Sequence, residues 1–275
     1  MSITVDFTGK TVVVVGGTSG INRGIAETFA KAGARVAVAS RAQDKVDDTV
    51  AALTAAGAEQ AMGVAFDVRD PDAVADGLSQ MHTELGDFDI LVSGAAGNFP
   101  ALMAEMSVNA FKTVVDIDLM GTVHVMKAAY PLLKRPGASI INISAPQAFL
   151  PYDGQSHVSA AKAGVDMITR SLALEWSPEG IRINSVVPGY IENTEGARRL
   201  APSEKQIEMI RKTIPQGRWG TTDDVANACL FLGSDLSEYI CGQVISVDGA
   251  LYQRGSGMLG QMLGDMLRGA KGEKP

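Results

Sequence analysis

Cysteine is scarce: Cys229 and Cys241 are the only two in 275 residues. They have neither the spacing of a metal-binding set nor the density of a disulfide framework, so both read as buried free thiols in a reducing compartment. No apolar run is long enough to span a bilayer, which excludes stable membrane insertion. The opening MSITVDFTGK has no apolar signal core and the closing EKP is not a Ser-Lys-Leu type address, so a cytoplasmic protein is expected. No basic run exists either. With a net charge of −7 and no basic run to neutralise a polyphosphate backbone, nucleic acid is not an expected partner. The three histidines, His82, His124 and His157, form no metal constellation, so no metal is expected.

What is present is an ordinary globular composition, 46% apolar and 20% charged, in a chain long enough for one α/β domain with a large core. Short β-branched runs alternate with helical patterns. Seven runs read as strands: 11–15, 35–40, 61–68, 88–94, 138–144, 181–188 and 243–249. They are apolar on both faces, as strands covered on each side by helices should be. Helices are expected over 22–32, 44–56, 71–85, 108–133 and 158–176. This alternation predicts a doubly wound, parallel seven-stranded sheet of Rossmann type in a single domain, 1–255, with ligands at the carboxyl ends of the strands.

Two segments break the pattern. Residues 190–220, charged and inserted after the sixth strand, read as a substrate loop or lid. In the tail, 256–275, Met258, Leu259, Met262, Leu263, Met266 and Leu267 recur at helical spacing. That stripe either packs on its own subunit or a symmetry mate, or serves as a flap facing an acyl chain or membrane.

The stretch VVVVGGTSGINRGIA, 12–26, leaves a strand and opens a helix. Gly16 suits the tight turn and Gly20 the close approach of a pyrophosphate. Thr18, Ser19 and Ile21 lie between and after them, where a helix N-terminus offers free N–H groups. Asn22 stands where a third glycine is usual, and its tolerance of left-handed angles would preserve the turn with an added polar contact. Ser40 and Arg41 end the second strand, where an NAD site wants an acid. A hydroxyl and a guanidinium suit a 2′-phosphate instead, which favours NADP(H). Asp67 and Val68 lie where the adenine edge would be met.

In order and spacing, this glycine loop, DILVSGAAG, Lys162, IRINSVVPGYIENT and GRWGTTDDVA resemble the short-chain dehydrogenase/reductase superfamily over about residues 10–250. The resemblance implies cofactor contacts at Ala95, Gly97, Lys162, Pro188, Gly189, Ile191 and Thr194. It also implies a homotetramer with the helices 108–133 and 158–176 as interfaces. VASRAQDKV, DVRDPDAV, AAGNF, NAFKTVVDIDLMGT, HVSAAKAGVDMITRSLALEW and NTEGARRL are similar, more narrowly, to the peroxisomal-type 2,4-dienoyl-CoA reductases. That family reduces conjugated dienoyl thioesters with NADPH, and it too lacks the tyrosine.

Against the superfamily pattern the important letters are missing. The tyrosine position, four before Lys162, is Val158; the serine position is Ala145; the asparagine of the long helix is Asp118. The enoyl reductases' tyrosine, seven before the lysine, is Gln155. Three readings stay open. The fold binds NADP(H) and catalyses nothing; or another group, with Tyr152, His157 and Ser144 nearby, replaces the phenol of a carbonyl reductase; or the substrate is a conjugated enoyl thioester. In the last case hydride addition gives a delocalised dienolate that donors stabilise, and the proton goes later to carbon. The third reading explains the absences best. Lys162 would then hold the ribose and a water. Asp118 would act as the acid or hold that water, or only pair with Lys162. Substrate contacts are expected at Asn98, Phe99 and His157, with Arg198 and Arg199 either meeting the phosphates of an acyl-CoA or forming a solvated helix face. Asp248 joins this cluster more weakly.

Overall fold

The computed structural model describes residues 5–201 and 203–254, and in the tail Met262, Leu263, Met266, Leu267 and Gly269. Met258 and Leu259 lie outside the described residues. Seven parallel strands form one sheet: β1 (Thr11–Val15), β2 (Arg35–Ser40), β3 (Gln60–Ala65), β4 (Ile90–Ser93), β5 (Ser139–Ile143), β6 (Arg182–Pro188) and β7 (Val244–Val247). Their order, β3-β2-β1-β4-β5-β6-β7, reverses direction between β1 and β4. Connections on either side of that point leave toward opposite faces, which opens a crevice at the strands' carboxyl ends.

The strands carry apolar side chains on both faces because both faces are covered. Val12 and Val14 of β1 join Ile141 and Ile143 of β5 under α1 (Gly20–Lys31) and α9 (Thr222–Gly233), through Phe29 and Cys229. Val13, Val15 and Ile140 point the other way, against Leu78 and Met81 of α3 (Pro71–Leu85) and Val125 and Met126 of α5 (Gly121–Ala129). Each such side chain contributes about 1.5–3 kcal/mol on burial, so the alternation of the strand residues fixes register as well as stability. Residues 190–220 build a third apolar cluster with β6 and the segment after β7, made of Val187, Ala201, Ile210, Ile214, Trp219, Leu251 and Tyr252.

Local chemistry sets the helix ends. Asp70 caps α3, accepting from the N–H groups of Asp72 and Ala73, with Pro71 at the first helical position. Thr221 and Asp224 form a reciprocal capping box that starts α9. Gly57 ends α2 (Gln43–Ala56) in the left-handed conformation.

Three expectations need correction. The helix expected over 108–133 is not uniform. It runs as α4 (Val108–Val114), a π-helical turn at Val115–Met120, α5, and a 3-10 turn at Tyr130–Leu132. The wider turn shifts which side chains face inward, and Asp118 sits within it. Cys229 is buried, and burial pushes its thiol up to about 12. Cys241 is only half-buried, beside Ser177 Oγ at 3.2 Å. Lastly, Asn22 takes no left-handed angle; it lies inside the first turn of α1.

Beneath the sheet, the buried Asp89 accepts from the Thr11 N–H at 2.9 Å and pairs with Lys134 at 2.9 Å and Lys10 at 3.3 Å. Burial pushes this carboxyl up, but Lys134, the Thr11 N–H and Lys10 together outweigh it and hold it below its ordinary value. A carboxyl held down in the native state stabilises the fold above its unfolded pKa, about 4, and that contribution is lost as pH falls through the lower native value. Asp89→Asn is therefore expected to cost about 1–3 kcal/mol at neutral pH and to flatten the acid limb of stability, read from urea unfolding between neutral pH and about pH 3. A stability loss independent of pH would contradict the ion-pair account.

Candidate active site

Four segments meet at the carboxyl ends of β1, β4, β5 and β6. The β1–α1 turn depends on Gly16, whose φ is +80°; a Cβ there would lie 2.7 Å from the Ala95 nitrogen, in the loop after β4. Only glycine meets both demands. Thr18 is buried, Ser19 is exposed at the N-cap with no side-chain cap bond, and the first turn of α1 contains no acid. The dipole end of α1 thus faces the crevice uncompensated. Asn22 donates from Nδ2 to the carbonyls of Gly94 at 2.7 Å and Gly16 at 3.3 Å, tying the two loops together. Its amide fills the space that a side chain at Gly94 would take. The added polar contact is there, on a helical backbone.

Across the crevice, Gly20 faces Thr194: a Cβ on Gly20 would lie 3.8 Å from Thr194 Cγ2. Thr194 caps α7 (Glu195–Leu200), accepting from the Ala197 N–H, and donates to the Ile191 carbonyl at 2.9 Å. Ile191 is buried and bridges to Gly220. Pro188 ends β6, and Gly189 lets Asp248 approach, since a Cβ would sit 2.7 Å from its Cα. At the far side, Ser40 ends β2 and Arg41 is exposed just beyond it, close enough to Asp67 for its charge to lower that carboxyl, after the larger effect of Arg69. The buried Val68 presents its carbonyl to His124 Nδ1 at 2.8 Å.

At the centre lies a buried ion pair. Lys162 Nζ is 3.4 Å from Asp118 Oδ2 and donates to the Ile143 carbonyl at 2.9 Å. Asp118 Oδ1 accepts the Gly97 N–H at 2.7 Å, and the residue is 1% exposed. Both oxygens of Asp118 therefore face donors, which is the arrangement of an acceptor and positioner. Val158, one turn before Lys162 on α6 (Ser156–Trp176), is 2% exposed and turns an apolar surface inward. Ala145 opens the short 3-10 turn Pro146–Ala148. His157 is fully buried against Phe99, with ring centroids 4.7 Å apart, and its Nε2 meets the Phe99 carbonyl at 2.9 Å. Burial pushes its imidazole below its ordinary value despite that carbonyl. His157 thus holds the Phe99 loop in place, the packing alternative for this residue. Asn98 lies exposed on the same loop. Arg198 is exposed on α7, the helix that also carries Arg199.

Ser144 is buried at the end of β5, and burial followed by the charge of Asp248 pushes the Tyr152 phenol up to about 12. Among the described residues, no group of three His, Cys, Asp or Glu is placed to hold a metal ion.

Comparison with known proteins bears on this geometry. The family described as Enoyl-(Acyl carrier protein) reductase matches residues 15–251. The chain belongs to the short-chain dehydrogenase/reductase family. Peroxisomal 2,4-dienoyl-CoA reductases, named as producing (3E)-enoyl-CoA, are similar over most of its length. The Rattus norvegicus protein is 39% identical, covering 92% of this chain and 87% of that protein. The Arabidopsis thaliana protein is 40% identical, over 89% and 85%. Among solved structures, a putative short-chain alcohol dehydrogenase from Sinorhizobium meliloti superposes with a TM-score of 0.86 at 30% identity, covering 91% of this chain and 99% of that one. A dehydrogenase of the citronellol catabolism of Pseudomonas aeruginosa gives 0.79 at 31%, covering 91% and 98%.

A family of oxidoreductases with this fold implies a nicotinamide cofactor, and the crevice fits one. The Gly16 turn packs so closely on Ala95 that only glycine fits, Gly20 leaves the approach to the uncompensated α1 N-terminus open, and Asn22 Oδ1 is buried without a hydrogen-bond partner. Two features escaped the sequence. Asp166, one helical turn after Lys162 on the same face, is buried; burial pushes its carboxyl up, offset in part by Ser144 and Ser185. The i, i+4 spacing from Lys162 is the signal that could have found it. Tyr190, Trp219 and Tyr252 line the third apolar cluster; the first two stand inside PGYIENT and GRWG, which gave no sign of that packing, and Tyr252 stands in no motif.

Removing one member of the buried pair leaves the other charge stranded. Lys162→Met is expected to cost about 3–5 kcal/mol, and the double substitution Lys162→Met/Asp118→Leu to recover part of that loss, both read from urea unfolding. A cost below about 1 kcal/mol for Lys162→Met would mean that the pair does not hold these loops.

Proposed function

We propose that this protein is an NADPH-dependent reductase of conjugated enoyl thioesters, with 2,4-dienoyl-CoA as the favoured substrate. One observation carries the reading: the Lys162–Asp118 pair is intact and buried, while the two positions that serve a carbonyl oxygen are the apolar Val158 and Ala145. The relatives' names agree with it.

Bound in the crevice, the nicotinamide supplies hydride. The α1 N-terminus and the Gly16–Gly20 turn would receive the pyrophosphate, Arg41 and Ser40 the 2′-phosphate, Lys162 the nicotinamide ribose, and the Pro188–Thr194 segment the carboxamide. Hydride addition to the δ-carbon of a dienoyl thioester moves the electrons of both double bonds toward the thioester oxygen. Donors stabilise that oxygen without transferring a proton. One proton then goes to the α-carbon, leaving the double bond between the β- and γ-carbons, as in a (3E)-enoyl product. Lys162 and Asp118 would hold the water that delivers it, Lys162 as donor and Asp118 as acceptor. Val158 and Ala145 leave space for the planar, apolar chain. A phenol at this site would protonate an alkoxide, which this reaction does not form; the dienolate oxygen needs only a hydrogen bond.

A homotetramer goes with this reading. The helices expected as interfaces expose Val108 at 83% and Leu174 at 82%, apolar area that a neighbouring subunit would cover.

NADPH consumption, followed by its absorbance with 2,4-decadienoyl-CoA, should rise well above background. Cofactor binding without turnover would identify a non-catalytic NADP(H)-binding protein instead. Arg41→Asp should shift the preference from NADPH toward NADH by at least about tenfold in kcat/KM, the loss of one charge-assisted phosphate contact. An unchanged preference would remove Arg41 from the cofactor site.

A further inference from the structure

The apolar stripe of the tail has no part in the chemistry above, yet its described residues return to the mouth of the site. Met262 packs against the cluster that contains Trp219, Leu251 and Tyr252, and Leu263 is 8% exposed. Leu267 reaches the opposite rim: a methyl added at Gly154 would collide with Leu267 Cδ1, and Ala101 N–H donates to the Gly154 carbonyl at 3.0 Å. That rim is the loop pair carrying Phe99 and His157, joined to α6 just ahead of Val158 and Lys162. The tail therefore has one contact on the 190–220 side and one on the 99–101 and 154–157 side.

The mouth between them is apolar and partly uncovered. Met266 of the tail is exposed, as is Phe149, which meets Tyr252 edge-on at 6.0 Å. Met103 is exposed beside Ser156, with Sδ 3.6 Å from Oγ. Exposed large side chains gathered around a cleft mark a surface that an apolar ligand covers. Unbranched, polarizable methionines suit a ligand of variable length.

We propose that the tail, through Met262, Met266 and Leu267, is the outer wall of the acyl-chain site and sets the preference for chain length. The inference rests on the acyl-thioester reading above. Its contacts lie beyond the reacting carbons, so they should act on affinity for long chains and leave short ones untouched.

The test is calorimetric titration of the whole protein, with NADP present, using decanoyl-CoA and hexanoyl-CoA. The wild type should bind the longer chain more tightly. Met266→Ser/Leu267→Ser should weaken decanoyl-CoA about tenfold, as expected for lost apolar contact, and hexanoyl-CoA less than about twofold. Met266→Leu/Leu267→Met, which keeps the apolar volume, should retain the preference. No chain-length preference in the wild type, or the same preference in the serine variant, overturns the inference. Turnover of the corresponding dienoyl-CoAs is scored separately. Its absence counts against the reductase reading, while the ratio of the two affinities still decides the role of the tail.

Discussion

The Lys162–Asp118 ion pair ties together elements that are distant in sequence. Lys162 comes from α6 and bonds the last carbonyl of β5; Asp118 comes from the π-helical turn and accepts the N–H of Gly97 in the loop after β4. The carboxyl ends of two neighbouring strands and two helices are thus fixed by one pair of side chains. Burying two charges carries a desolvation cost of several kcal/mol per ion, which their attraction only roughly offsets. Such a pair is a weak argument for stability on its own. It is a strong argument for geometry, because any displacement of one partner leaves an uncompensated charge in the interior.

The surroundings of that pair divide sharply into polar and apolar. On the cofactor side lie the uncompensated α1 N-terminus with its free N–H groups, the Gly16 turn, and Asn22, whose Nδ2 is taken by the Gly16 and Gly94 carbonyls and whose Oδ1 is left as a buried acceptor. On the other side lie Val158, Ala145 and the cluster around Trp219 and Tyr252. A polar half that suits an anionic dinucleotide and an apolar half that suits a hydrocarbon chain meet at Lys162. His157 contributes by keeping Phe99 in position from a fully buried setting that favours its neutral ring, with Nε2 on the Phe99 carbonyl and Nδ1 buried without a partner.

Much of the fold was legible along the chain. Val12 to Val15 are apolar at every position, and that continuous run means a strand covered on both faces. The glycine loop was recognisable because turn geometry restricts which residues are tolerated. Resemblance to the superfamily's pattern, counted from Lys162, singled out Val158 and Ala145 without any coordinates. Less legible were features set by contacts between distant segments. The Asn22 amide bonds the carbonyl of Gly94, a residue 72 positions away, and nothing local announces it. The π-helical turn interrupts a stretch whose apolar pattern suits an uninterrupted helix, because pattern alone does not count the hydrogen bonds of a turn.

The sequence by itself determined the alternation of strands and helices and the position of the glycine-rich turn, since each is written in local periodicity; Val158 and Ala145 stand out only against the pattern of the family that the chain resembles. Only the tertiary structure decided that Asp118 is held as an acceptor between Lys162 and Gly97, that His157 packs behind Phe99, and that Leu267 comes to rest on Gly154. Those are choices among partners brought together by packing, and packing depends on the volume and charge of side chains far apart in the chain.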